Sequence, residues 1–187
     1  MPLQVLLSSI GLISITEFGD KTMITAMCLS AQYRRPWIVL LATMIALTIS
    51  TLIAIIIGII LSAAIPVDIL VYVSGLLFLG LGIYTLTRSN SEEVDTCETP
   101  SSFLSMVSLV LFSELGDKSQ IAILALAVQS AFPIMVFIGA IVGFLMLNIL
   151  AVFAGNSISG KVSIKLVKRV AGLLFILFGI LVIFGII

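Results

Sequence analysis

Two short stretches carry chemistry that stands out from the rest of this sequence. Glu17-Phe18-Gly19-Asp20-Lys21-Thr22 and Glu114-Leu115-Gly116-Asp117-Lys118-Ser119 share one pattern, Glu-x-Gly-Asp-Lys-Thr/Ser, each inside an apolar run. Each places two carboxylates, an ammonium and a hydroxyl within six positions. A charge inside a bilayer costs at least ~2.5–3.5 kcal/mol on insertion scales, and such charges mark ion and proton pathways. On a helix, positions i, i+3 and i+4 share a face. Glu17, Asp20 and Lys21 would then point one way, as would Glu114, Asp117 and Lys118. The Glu-before-Lys order favours the pairs Glu17–Lys21 and Glu114–Lys118, which leaves Asp20 and Asp117 unpaired.

Four acids and two lysines sum to −2 when ionised. One divalent cation would neutralise that charge, and so would two protons, so metal and protons would compete for the same carboxylates. Oxygen donors suit hard cations such as Ca2+, Mg2+ or Mn2+. The chain has no His, and neither motif contains Cys, which argues against Zn2+ and Cu. Thr22, Ser119, Thr16 and Ser113 can add hydroxyl oxygens. Gly19 and Gly116 weaken the helix and let backbone or ligand approach closely; a kink or break there would free backbone carbonyls as further ligands. Cys28, two turns beyond Asp20, reads as helix packing.

The elements that must position these groups follow from composition. Of 187 residues, 61% are hydrophobic and 10% charged, with a mean hydropathy of +1.36. Soluble domains are about 45–50% apolar, so the bilayer is the natural solvent. A net charge of zero offers no basic face for nucleic acid, and Cys28 and Cys97 fit neither a zinc spacing nor a disulfide framework. The N-terminus lacks a basic n-region, so the first apolar segment reads as a retained span. A spanning helix needs ~20 mostly apolar residues. Six segments qualify: Leu3 to Ser30, Trp37 to Leu61, Val67 to Thr87, Phe103 to Ser130, Ile134 to Gly155 and Leu166 to Ile187. They are parted at Tyr33-Arg34-Arg35-Pro36, at Pro66-Val67-Asp68, by Arg88 to Ser102, at Phe132-Pro133 and by Asn156 to Lys165. Outside the motifs, the seven basic residues Arg34, Arg35, Arg88, Lys161, Lys165, Lys168 and Arg169 all fall in or beside the first, third and fifth loops. The positive-inside rule makes that face cytoplasmic and puts both termini on the non-cytoplasmic side.

The second motif follows the first by 97 positions, and the same offset aligns Gln32 with Gln129, Pro36 with Pro133, and Val73-Ser-Gly-Leu-Leu-Phe78 with Val170-Ala-Gly-Leu-Leu-Phe175. Ala42, Ala46, Ala54 and Gly58 likewise fall on Gly139, Gly143, Ala151 and Gly155, small residues that allow close helix packing. The expected fold is therefore an all-α membrane protein of six transmembrane helices, arranged as two inverted three-helix repeats. Residues 1–90 form the first repeat, 91–101 an acidic cytoplasmic linker, and 102–187 the second repeat. Transporters so built hold substrate near the midplane, between the repeats. The linker acids Glu92, Glu93, Asp95 and Glu98 read as a solvated connection, and the run Lys161 to Arg169 as an anchor to anionic lipid.

The duplicated motif, in the first and fourth of six spans, resembles the signature of the cation-transporter family that includes the eukaryotic Golgi manganese/calcium transporter and bacterial manganese exporters. The resemblance covers nearly the whole chain. It implies exchange of Mn2+ or Ca2+ for protons, with the metal as transported substrate and no resident cofactor. It implies a metal site of Glu17, Asp20, Glu114 and Asp117, supported by Lys21, Thr22, Lys118, Ser119, Gln120 and Met23. It also implies manganese export across a bacterial inner (cytoplasmic) membrane. Family motifs are often followed by Gln; the second copy has Gln120, but the first has Met23, which reads first as helix or lipid packing and, as the alternative, as a soft thioether that would tilt preference from Ca2+ toward Mn2+. No catalytic residue is expected. An intramembrane aspartyl protease fits poorly, because a Lys after each Asp would disfavour the shared proton of such a dyad. An exporter of a small organic solute such as an amino acid, and a passive cation channel, remain as alternatives. A monomer and a homodimer are both compatible with six short spans.

Overall fold

The computed structural model describes residues 2–18, 20–87, 100–158 and 164–184, and among them all regular structure is α-helical. Eight helices follow in order: α1 (Pro2–Glu17), α2 (Lys21–Tyr33), α3 (Pro36–Ala64), α4 (Val67–Thr87), α5 (Phe103–Glu114), α6 (Lys118–Gln129), α7 (Pro133–Ile158) and α8 (Ile164–Ile183). Proline opens α3 and α7 at the first helical position, where its missing N–H is no loss. Gly19, Arg88, Lys161, linker residues 91–99 and the side chains of Lys21, Lys165 and Lys168 lie outside the described residues.

Helix α3 shows which solvent the fold is built for. Its buried stripe consists largely of small or hydroxyl residues, among them Ala42, Thr43, Ala46, Ser50, Thr51, Ala54 and Gly58. Its large residues Leu41, Ile45, Ile49, Leu52, Ile56 and Ile60 face outward. That distribution suits a helix whose surroundings are as apolar as leucine and whose contacts with other helices rely on close backbone approach. At ~1.5 Å per residue, its 29 residues exceed the ~30 Å hydrocarbon thickness. By length and composition, α3 and Pro133–Phe153 of α7 can each cross a membrane, and α1 with α2 makes a third if the bent pair is one span.

The two halves of the chain interlock. Helix α1 packs on α7, as α5 packs on α3; α2 packs on α7, as α6 packs on α3; α3 meets α7 and α4 meets α8. Exchanging the halves maps these contacts onto one another. The α4–α8 crossing depends on glycine: a Cβ on Gly179 would lie 2.8 Å from Gly75 O, and one on Gly82 would lie 2.8 Å from Gly172 O. At α1–α7, a Cβ on Gly139 would lie 2.8 Å from Leu6 O.

Two expectations need correction. Residues 3–30 and 103–130 are not single helices, because each breaks at its acidic motif, and α1 and α2 diverge there by 66°. Cys28 is disulfide-bonded, so it is more than a packing residue.

Candidate metal centre

Each motif is the place where one helix stops and the next starts. α1 ends at Glu17 and α5 at Glu114, while α2 starts at Lys21 and α6 at Lys118. The same backbone hydrogen bond spans both breaks: Asp20 N–H donates to Glu17 O, and Asp117 N–H donates to Glu114 O, both at 3.1 Å. In the second copy Leu115 has φ −64° and ψ 114°, and Gly116 has φ +83°. These are the angles of a type II turn, whose third residue needs positive φ and hence favours glycine. The side chain of Gln120 closes over this turn, its Oε1 accepting from Gly116 N–H while its Nε2 donates to Ser50 O at 3.5 Å.

The break replaces the shared helix face expected of Glu, Asp and Lys. Asp20 and Asp117 stand at the N-cap positions of α2 and α6, yet neither side chain caps its own helix. Both carboxylates are left to other partners, beside helix N-termini whose dipole favours negative charge.

The turns bring the two halves' carboxylates together. Glu17 and Glu114 are each only 2% exposed. Glu17, Glu114 and Asp117 each offer a carboxylate oxygen within 4.8 Å of the others. Asp20, the fourth expected ligand, is instead held by Lys118, whose Nζ lies 2.6 Å from Asp20 Oδ2. Lys118 therefore pairs across the halves, not with Glu114 four residues before it; the turn ends α5 at Glu114 and removes the helical register on which the local pair depended. Thr22 Oγ1 also reaches across, donating to Glu114 Oε1, while Ser119 Oγ donates to Glu114 Oε2 at 3.5 Å. Glu17 Oε1 is buried with no hydrogen-bond partner among the described residues. Thr16 and Ser113 direct their hydroxyl protons into their own helices, to Ile13 O at 3.2 Å and Val110 O at 2.8 Å.

A recess beside Glu17 is lined by Glu17, Thr22, Met23, Phe144, Leu147 and Asn148. Met23 thus stands beside Glu17 at the edge of the acidic cluster. Asn148 was missed, although it is the only polar side chain between Pro133 and Phe153, and a lone amide in so apolar a run is a signal. The buried cluster of acidic and hydroxyl oxygens can bind a hard cation by direct ligation.

The family model "Divalent cation/proton antiporter GDT1" matches residues 5–93 and 102–186. A Vibrio cholerae protein named for manganese export is 28% identical over 94% of this chain and 88% of its own length. A GDT1-like protein of Synechocystis is 31% identical over 90% of this chain and 91% of its own. The chloroplastic GDT1-like protein 2 of rice is 32% identical over 94% of this chain, which spans 59% of the rice protein. No solved structure matches. With the match running through both halves and nearly every helix, this chain belongs to the GDT1 family of divalent cation/proton antiporters.

Proposed function

We propose that this protein exports Mn2+ across a bacterial cytoplasmic membrane in exchange for protons, with Ca2+ as a related substrate. Glu17, Glu114 and Asp117 would ligate the cation, with Asp20 beside them. The observation that carries the reading is the meeting of those three carboxylates, drawn from both halves, at two facing helix breaks. The Vibrio relative's name favours manganese.

In this reading the chain crosses the membrane six times as two inverted repeats, 1–90 and 102–187, joined by the linker 91–101, with both termini non-cytoplasmic. Helices α1–α2 and α5–α6 each form one broken span. The matched hydrogen bonds across the two helix breaks, the exchangeable packing and the 97-residue offset support it. Broken helices are a means of holding ions at mid-membrane, because the C-terminal ends of the first halves present free carbonyls to a cation. Two motifs with a formal charge of −2 are neutralised by one divalent cation or by two protons. Loading either would thus exclude the other, which is the condition for exchange.

The test is flux of Mn2+ and Ca2+ in liposomes containing the pure protein under an imposed pH gradient, beside Glu17→Gln and Asp117→Asn variants. Metal flux driven by the pH gradient and lost in both variants supports the proposal. Flux that ignores the collapse of the proton gradient refutes exchange and favours a channel. If neither metal moves under any gradient, the organic-solute exporter replaces it.

A further inference from the structure

Among the polar atoms buried without partners among the described residues are Glu17 Oε1, Asn148 Oδ1 and Thr51 Oγ1. A buried acceptor left without a hydrogen bond costs about 1–3 kcal/mol, so each needs a reason. Glu17 is explained by the carboxylate cluster. Asn148 is not, and it lines the same recess as Glu17, Thr22 and Met23. It is 3% exposed on α7. Its amide nitrogen donates to Phe144 O at 2.9 Å, which fixes the orientation of the amide and leaves the oxygen as its free end.

The repeat adds an independent observation. Under the 97-residue offset, position 148 falls on position 51. Thr51 is 1% exposed, and its hydroxyl is also without a partner among the described residues. Both halves therefore carry a buried, unsatisfied oxygen at one equivalent place on the helix that packs against the opposite half's motif helices. The surroundings differ: beside Thr51, Gln120 reaches Ser50 O, while beside Asn148 the position of Gln120 is taken by Met23.

We propose that Asn148 supplies its side-chain oxygen to the transported divalent cation, joining Glu17 and Thr22 as a neutral ligand and making the Asn148–Met23 side of the site a determinant of selectivity. The inference rests on the proposed metal site and extends it. A neutral oxygen raises the ligand count without adding charge, so the two-proton balance of the carboxylates is kept. Amide oxygens belong to the usual ligand set of hard divalent cations.

The experiment measures equilibrium Mn2+ binding to the purified full-length protein in detergent by electron paramagnetic resonance of free Mn2+, with thermal unfolding of each variant as a check on folding. Asn148→Leu is expected to weaken binding about tenfold or more, the range for loss of a group supporting a metal site. Asn148→Asp, which keeps an oxygen but loses the amide nitrogen, is expected to bind within severalfold of wild type or tighter. Asn148→Thr, which copies position 51, should fall between them. Wild-type binding by Asn148→Leu, with Asp117→Asn inactive, overturns the inference and leaves the metal site standing. An Asp variant as weak as the Leu variant also overturns it, because the amide nitrogen would then be what matters. Undiminished binding by Asp117→Asn overturns both readings.

Discussion

Gly116 offers the most direct test of how the motif is built. Its φ of +83° lies in the left-handed region, where an L-residue with a Cβ costs roughly 1–2 kcal/mol. A Cβ added there would meet nothing within 4 Å, so no clash adds to that strain. Replacing Gly by Ala also lowers the entropy of the unfolded chain, which returns about 0.4–1 kcal/mol. The net loss for Gly116→Ala is therefore about 1 kcal/mol. Gly80 in α4 is the matched control: its Cβ would also meet nothing within 4 Å, and its φ is not positive. Gly80→Ala removes a helix-weakening residue and should be neutral or stabilising by up to ~1 kcal/mol. For a chain of this size 1 kcal/mol moves Tm by about 2–4 °C. If the turn in Gly116→Ala relaxes instead of holding its shape, the same energy appears as about fivefold weaker Mn2+ binding. Thermal unfolding and Mn2+ titration of both variants in detergent separate these routes. Asn tolerates positive φ better than Ala, so Gly116→Asn should fall nearer wild type. Wild-type Tm and wild-type Mn2+ affinity in Gly116→Ala would refute the type II turn as the reason for glycine in the motif.

The cross-half ion pair predicts non-additivity. Asp20→Asn and Lys118→Met should each destabilise the protein, and the double variant should be less destabilised than their sum by about 0.5–3 kcal/mol; additive losses in thermal unfolding would show that the 2.6 Å contact contributes nothing. Met23 lines the recess beside Glu17, where the second half has Gln120, so Met23→Gln should raise Ca2+ transport relative to Mn2+ in liposomes. An unchanged ratio would remove the thioether from the selectivity argument.

Much of this was legible in the sequence, and what was not has definable causes. Proline at 36 and 133 marked the starts of α3 and α7, and hydropathy alone located the apolar segments. Counting apolar residues could not separate α5 from α6, because a window of about twenty passes over a three-residue turn as if it were helix. The glycines allow either a weakened helix or a break; which of the two occurs depends on whether the φ becomes positive, which residue type permits but does not dictate. The pairing of Lys118 was misread for a related reason. Spacing reveals only the local partner, Glu114, whereas Asp20 lies 98 positions away and is brought close by the fold. Asn148 carries no signal in the repeat, because position 148 pairs with a threonine.

That mismatch bears on what the duplication does. Each half completes the other: Thr22 of the first reaches Glu114 of the second, and Lys118 of the second holds Asp20 of the first. Neither half alone assembles these contacts, and removing one member of the partly buried Lys118–Asp20 pair leaves the other charge without its partner. The four motif types that carry charge or turn, Glu, Gly, Asp and Lys, are identical in both copies, while the residues around the recess differ, Met23 against Gln120 and Asn148 against Thr51. A duplication that served only to pack helices would have no reason to match at its costliest residues and diverge beside them. The pattern is that of a site whose charge balance needs both copies and whose selectivity can be set on one side alone.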